Sequence, residues 1–520
     1  MTPVEPVPGI AQNGPFEAAH DHFARLVTKL SSQEVKRMQE ADVERLVRPE
    51  GTETMRLLMQ GFISSLGRGE VVGKVIGADG GERTHKRLSS RELETIYGTV
   101  RIERFGYSQR ETQPLFPLDA QLNLPPHRYS HEVSRQLVFE VAKTSFDEAL
   151  ATLARTTGAA VNKRQAQELT VLAATDFDEF YKQAERAALL QRTKSGPVLV
   201  ITADGKGVVV RCEDLREATK KKAAKRKHAM TSRLGSGQKK NVKRMAEVAA
   251  VYTIRRHHRD ASQVIAGLRR LEMAVPTKPP KPEQKRVWAS VKQDMEVTLD
   301  AAFAEAVRRD PARRKDWVGL VDGNKEQIKG IISLAKQYEV SVLLVIDFIH
   351  VLEYLWKAGH EQYEEGQELE NWVLERAERI LNGEASLVAA AIRRSATMKK
   401  AEAEERKATD KCADYLVKHA KFMRYDICLK KGYPIATGVV EGACRHLVKD
   451  RMDLTGARWG LERAEAVLQL RALRASGDFD GYWAFHELCE HHRNHQAHYR
   501  GPIPSVVVSP TFPNDAHQVP

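Results

Sequence analysis

Three short apolar, β-branched runs in this chain of 520 residues each end in an aspartate. Residues 197–202 (PVLVIT) lead into Ala203-Asp204-Gly205-Lys206-Gly207 and then a second run at 208–210. Residues 317–321 (WVGLV) end in Asp322-Gly323, and residues 340–346 (VSVLLVI) end in Asp347. Runs of this length and composition form buried strands, so each aspartate is carried to the end of a rigid element. Taken singly, Asp204 and Asp322 read as turn residues, because Asp-Gly is a common hairpin signal and Gly205 and Gly207 permit a tight hairpin or bulge. Recurrence changes that reading. Carboxylates at neighbouring strand ends raise one another's pKa, and a divalent cation with hard oxygen ligands relieves the repulsion.

Charge points to the partner. Net charge is +13 with an isoelectric point near 9.3, which suits a polyanion, nucleic acid first and an anionic membrane surface second. The excess concentrates just after Asp204. Arg216, Lys220, Lys221, Lys222, Lys225, Arg226, Lys227, Arg233, Lys239, Lys240, Lys243 and Arg244 stand against Glu213, Asp214 and Glu217. A run of this density is expected to contact phosphates rather than be merely solvated. No apolar run approaches the roughly 18 residues of a membrane span, and the first residues lack a secretory pattern. Five cysteines without CxxC spacing imply reduced thiols in a cytoplasmic protein.

The length implies two to four domains. Residues 1–13 read as disordered and 16–66 as two or three helices, giving an N-terminal helical region over 1–70. Residues 92–106 read as a β-ribbon within a 71–128 segment. Helices at 133–143 and 146–155, a turn at 156–159 and a helix at 162–172 have the layout of a helix-turn-helix within 129–192. Lys163 and Arg164 would then open the groove-facing helix; a plain packed bundle is the alternative. Residues 193–360 form the first part of a core, with a strand at 245–254, a Pro- and Lys-rich linker at 275–285, and helices at 287–309 and 327–338. Residues 361–420 are helical in pattern, and a helical insertion is expected over 361–430. Gly438 turns the chain into a helix bearing Glu441, Arg445, Lys449 and Arg451, inside a second core part at 431–485. The remainder, 486–520, reads as a tail. Its His486, Cys489, His491, His492, His495 and His498 match no four-ligand metal pattern and read as an exposed helix end. His350 is either a core histidine or an active-site group.

Strand, hairpin, strand, helix, strand, with acids at strand ends and a later glutamate on a basic helix, points to a metal-dependent nuclease or polynucleotidyl transferase. The segments ADGKGV, LREATKKKAAKRK, RMAEVAAVYTI, VDGN, DFIHVLEYLW and TGVVEGACRHLVKDRMDLTGARW, with PLDAQLNLPPHRYS and TSFDEALATLARTTGAAVNKRQAQE, resemble the transposases of Kra-type insertion sequences over residues 75–480. The resemblance implies an α+β protein with a ribonuclease-H-like core, a mixed sheet flanked by helices, an all-helical insertion and an N-terminal DNA-binding region. It also implies a DDE transposase that nicks element ends and transfers strands into target DNA using two Mg²⁺, with Mn²⁺ as a substitute. Asp204, Asp322 and Glu441 would then be the metal ligands. Asp322 is preferred to Asp347 as the second acid because it ends the fourth strand, leaving Asp347-x-x-His350 as a supporting histidine motif. Arg445, Lys449 and Arg451 would face phosphates. A homo-oligomer on DNA in the bacterial cytoplasm, associated with the nucleoid, completes the expectation. A nuclease that cuts without joining, and a non-catalytic DNA-binding protein, are the alternatives.

Overall fold

The computed structural model describes residues 14–183, 186, 194–224, 243–269, 278–398 and 406–507. The chain divides into two units, residues 1–176 with 480–520, and residues 177–479.

In the first unit, helices α1 (Glu17–Leu30) and α2 (Glu40–Ser65) precede an antiparallel ribbon, β1 (His85–Thr95) with β2 (Gly98–Ser108). Ile63, Leu93, Val100, Ile102, Leu118, Leu124 and Val506 form one core of this unit. Then come α3 (His131–Lys143), α4 (Phe146–Thr156) and α5 (Lys163–Leu172). Each starts where a short polar side chain satisfies a free amide: Ser130 accepts from Val133, Ser145 from Glu148 and Asn162 from Gln165. The ribbon tip fixes the turn before α5. The Gly158 amide donates to Ile96 O at 2.7 Å, and buried Glu94 accepts from the Ala160 amide at 2.8 Å. Residues 499–507 are not a loose tail. Val506 bridges to Val71 and Tyr499 to Gly77, because apolar Val506 has a core to enter.

The second unit is built on a five-stranded sheet in the order β5–β4–β3–β6–β7. Its strands are β3 (Val198–Val209), β4 (Lys243–Ile254), β5 (Glu283–Ser290), β6 (Asp316–Val321) and β7 (Val342–Ile346). β3, β4 and β5 are antiparallel neighbours; β6 and β7 run parallel to β3 on its other side. This is a mixed α+β architecture compatible with a ribonuclease-H-like core. Between the strands lie α6 (Glu217–Ala224), α7 (Met295–Arg309) and α8 (Lys325–Gln337). After β7 come α9 (Phe348–Gly359) and a helical block, α10 (Gln367–Leu381), α11 (Ala385–Met398) and α12 (Lys407–His419). α13 (Gly438–Ala443) continues as a π-helical stretch, Cys444–Lys449, and α14 is Leu461–Ser476.

Two sequence expectations fail here. No hairpin forms at Asp204-Gly205-Lys206-Gly207: β3 runs straight through, paired with β4 from Val198↔Ile254 to Val209↔Lys243. Twelve residues of continuous ladder outweigh a local Asp-Gly turn preference. The segment expected to begin a helix near 287 is instead edge strand β5, and the helix starts at Met295. Its buried half, Arg286 to Ser290, lies under α14, where Glu465 accepts from Ser290 Oγ at 2.7 Å and the Val291 amide at 2.8 Å. That cover hides an otherwise open sheet edge.

Beneath β5, Glu305 of α7 is 0 % exposed. It accepts from Arg286 Nη1 at 2.7 Å and from Arg309 Nε and Nη2 at 2.9 and 2.8 Å. Burial opposes its charge, but the surrounding guanidiniums outweigh burial and hold its carboxyl far below the usual range. Removing the anion strands those cations, so Glu305→Gln is expected to cost about 3–5 kcal/mol in urea unfolding; a change within 0.5 kcal/mol, the usual span of neutral surface changes, contradicts this.

Candidate active site

The site begins in strand register. Thr202 pairs with Leu320, and Leu320 with Val345. Two residues further along each strand stand Asp204, Asp322 and Asp347. Side chains alternate with period two, so the register, continued one residue past the ends of β6 and β7, sets the three aspartates at one level. The Asp347 amide extends the ladder past β7 by donating to Val321 O at 2.8 Å. One face of the sheet carries the packing helices. Phe303 of α7 lies 6.2 Å from the Trp317 ring, and Trp317 pairs with Leu199. Ile331 of α8 approaches Gly319, which pairs with Ile201.

α13 and its π continuation cover the acid face. Cys444 Sγ donates to Asp204 Oδ2 at 3.2 Å, while Asp204 Oδ1 accepts the Gly205 amide at 2.7 Å. Thr437 Oγ1 donates to Asp347 Oδ2 at 2.5 Å and lies 3.2 Å from Glu441 Oε1. One hydroxyl therefore ties Asp347 to exposed Glu441. Asp347 is 1 % exposed and also caps α9 through the Ile349 amide at 3.0 Å. Burial pushes its carboxyl up to about 6, against the pull of the Thr437 and Ile349 hydrogen bonds; the Glu441 charge adds to the rise. Burial likewise raises the Cys444 thiol, and Asp204 raises it further. π-helical segments are rare and concentrate at functional sites; this one brings Cys444 onto Asp204.

Tyrosines hold the two strand ends. Tyr415 Oη of α12 donates to Asp322 O at 2.7 Å, and fully buried Tyr425 Oη donates to Ile346 O at 3.0 Å. The Asp322 turn requires glycine next: Gly323 has φ +99°, and a Cβ there would sit 2.8 Å from Tyr415 Oη. Asp322 Oδ1 accepts the Asn324 amide at 2.8 Å, and the residue is half-buried. His350 stands edge-on to Tyr354 and Tyr415, at 5.4 and 5.9 Å between ring centroids, one turn beyond Asp347. It packs on the aromatic support and hydrogen-bonds no carboxylate of the acid face in the described residues. Cys444, Thr437, Tyr415 and Lys206, the last two residues past Asp204 on the same strand face, were not singled out from sequence. Thr437 carries no sequence signal, but Cys444 lies three residues from Glu441, a helical spacing that could have flagged it.

The expected phosphate contacts divide. Arg445 and Lys449 are exposed, as are Lys221, Lys222 and Lys243. Half-buried Lys220 reaches Glu213 O at 3.3 Å. Lys225, Arg226, Lys227, Lys239 and Lys240 lie outside the described residues. Arg451 is corrected: it is 2 % exposed with its guanidinium 4.8 Å over the Trp459 ring, serving the core rather than a surface. Arg244 is half-buried and spends its donors on Val291 O and Asp214 O, tying loops together. On α5, Lys163 and Arg164 are exposed, and among the described residues they pair with the surface acids Asp147 and Glu168. The C-terminal cluster is only in part an exposed helix end: His492 and His498 are exposed, whereas His486 and His495 are buried. His486 meets Asp176 at 2.7 Å, and Arg493 bridges Asp176 to Glu490. The acid–histidine group Asp176, His486 and Glu490 thus already holds a cation, the Arg493 guanidinium.

No family model and no curated protein matches the chain. Among solved structures, the Drosophila P element transposase strand transfer complex is similar at 10% identity and a TM-score of 0.22, over 68% of this chain and 80% of that one. No helix among the described residues is long and apolar enough to cross a membrane.

Asp347 generates a stability prediction. Its folded pKa of about 6 exceeds the ordinary 3.8, so the fold retains a proton that the unfolded chain has already lost between those values. This contribution makes the fold less stable as pH rises through that window. In EDTA, Asp347→Asn should therefore be more stable than the parent at pH 8, by on the order of 2 kcal/mol. The gap should close as pH falls below about 4, near the ordinary carboxylate pKa. A variant less stable than the parent at pH 8 would contradict the burial cost assigned here.

Proposed function

We propose that the protein is a DDE-type DNA transposase, a metal-dependent polynucleotidyl transferase with a ribonuclease-H-like core. One observation carries the reading: the strand register sets Asp204, Asp322 and Asp347 at the same end of three adjacent strands, and Thr437 links Asp347 to Glu441. The donor set fits a hard divalent cation. It consists of carboxylate oxygens, which suit such a cation, and a cation on Glu441 would also offset the like charge that Glu441 presents to Asp347. Asp204, Asp322 and Glu441 would hold Mg²⁺ or Mn²⁺. Bound there, the metal would polarise the phosphodiester and lower the pKa of the attacking hydroxyl or water.

The chain's own residues supply the rest. Asp322 offers its second oxygen from a turn fixed by Tyr415. Asp347 serves as the outer partner that sets Glu441 through Thr437, and Cys444 sets the rotamer of Asp204. Lys206, Arg445 and Lys449 are placed to meet phosphates, and helix α5 opens with Lys163 and Arg164 toward DNA, their ion pairs being exposed and cheap to exchange. Lys220, Lys221, Lys222 and Lys243 extend the basic surface. A homo-oligomer that pairs two DNA ends is part of the proposal.

Labelled element-end DNA with Mg²⁺ tests it. Strand joining is expected; cleavage without joining would make the protein a nuclease, and binding alone a regulator. Asp204→Asn, Asp322→Asn and Glu441→Gln should each cut cleavage by roughly 10²–10³-fold or more with DNA binding retained. Asp347→Asn should lose only roughly 10–100-fold, as an outer partner does. If Asp322→Asn stays active while Asp347→Asn is dead, the second acid is misassigned.

A further inference from the structure

Outside the acid face, the first unit contains a cavity of about 270 Å³ whose lining includes Arg91, Arg104, Phe116, Asp119, His498 and Tyr499. Its charges are unevenly matched. Asp119 Oδ1 lies 2.7 Å from Arg104 Nε and its Oδ2 lies 3.6 Å from Arg91 Nη1, so two guanidiniums share one buried carboxylate. Burial pulls the Arg91 pKa down, Asp119 opposes that, and Arg104 adds to the fall. Of the remaining donors, Arg91 Nη2 serves His127 O and Arg104 Nη1 serves Ser89 Oγ. Arg104 Nη2 has no hydrogen-bond partner among the described residues. The Arg104 guanidinium carbon lies 4.3 Å over the Phe116 ring centroid. Tyr499 is only 7 % exposed, and its buried hydroxyl has no partner among the described residues. An unpaired buried hydroxyl costs about 1–3 kcal/mol, and an excess buried cation costs more.

We propose that this cavity binds a small phosphate-class oxyanion. The anion neutralises the second guanidinium and accepts hydrogen bonds from Arg104 and from the Tyr499 hydroxyl. Arginine suits the task because its rigid planar fork matches the oxygens of a tetrahedral anion. Exposed His498 stands at the rim. Such an anion can arrive as free phosphate or as the terminal phosphate of a nucleic-acid strand, and the chemistry at Arg104 and Tyr499 is the same. The inference is independent of the acid face and survives if the catalytic reading fails.

The test uses the full chain. Arg104→Gln leaves Asp119 short of a partner and can fail to fold, so Tyr499→Phe, which removes one oxygen, carries the experiment. Thermal unfolding is followed against inorganic phosphate at constant ionic strength. It is then repeated with a 5′-phosphorylated oligonucleotide and its unphosphorylated twin. Other phosphate contacts on so basic a protein are untouched by Tyr499→Phe, so the signal is the difference between parent and variant. Losing a charge-assisted hydrogen bond predicts an apparent affinity about tenfold weaker in the variant. A loss seen with inorganic phosphate assigns the site to a free ion. A loss seen only with the phosphorylated strand assigns it to a nucleic-acid end. Superimposable titrations of parent and variant with both probes overturn the proposal.

Discussion

The parallel register of β3, β6 and β7 is the constraint on which the second unit depends. Once Thr202, Leu320 and Val345 are neighbours, Asp204 and the residues just past β6 and β7, Asp322 and Asp347, come to the same end of the sheet. A slip of one residue in β3 would turn Asp204 to the opposite face, where α7 and α8 pack. The buried residues that hold the register, Val198 to Ile201, Val318, Leu320, Val345 and Ile346, therefore position the acids as surely as any direct contact with them. Their hydrophobic burial is the driving force; the clustered charges are what it sustains.

That clustering has a cost, and the surrounding residues show how it is contained. Asp347 is the most buried of the four acids and answers by holding its proton more tightly. Thr437 shares one hydroxyl between Asp347 and Glu441, and Cys444 gives its hydrogen to Asp204. Tyr415 and Tyr425 fix the backbone at the two parallel strand ends, so the helical block after β7 is part of the site's support. Local strain and unmatched charge concentrate where ligands are expected. The same logic applies on a smaller scale to Asp119 with its two arginines.

Much of this was legible in the sequence because it is local. Apolar runs closing in aspartate marked β3, β6 and β7, and the helices expected at 133–143, 146–155 and 162–172 correspond to α3, α4 and α5. Failures came where a distant partner decides. Asp204-Gly205 has the letters of a hairpin, but β4, some forty positions on, pairs straight across it. β5 reads EQKRVWAS after a Pro-rich stretch and lacks alternation, since Arg286 is buried on Glu305 rather than on a solvent face. Arg244 and Arg451 looked like phosphate contacts because sequence shows charge and not burial. For the same reason His486 and His495 looked exposed.

The central claim is that the face bearing Asp204, Asp322 and Glu441 binds a divalent cation. Fe²⁺ exchanged into that site, with ascorbate and peroxide, cuts the polypeptide backbone within a few ångströms of the metal. The account predicts cuts in three places, at the middle of β3, at the turn after β6 and near Glu441, all suppressed by excess Mg²⁺. Cuts confined to Asp176, His486 and Glu490, or a pattern that Mg²⁺ does not suppress, would contradict it.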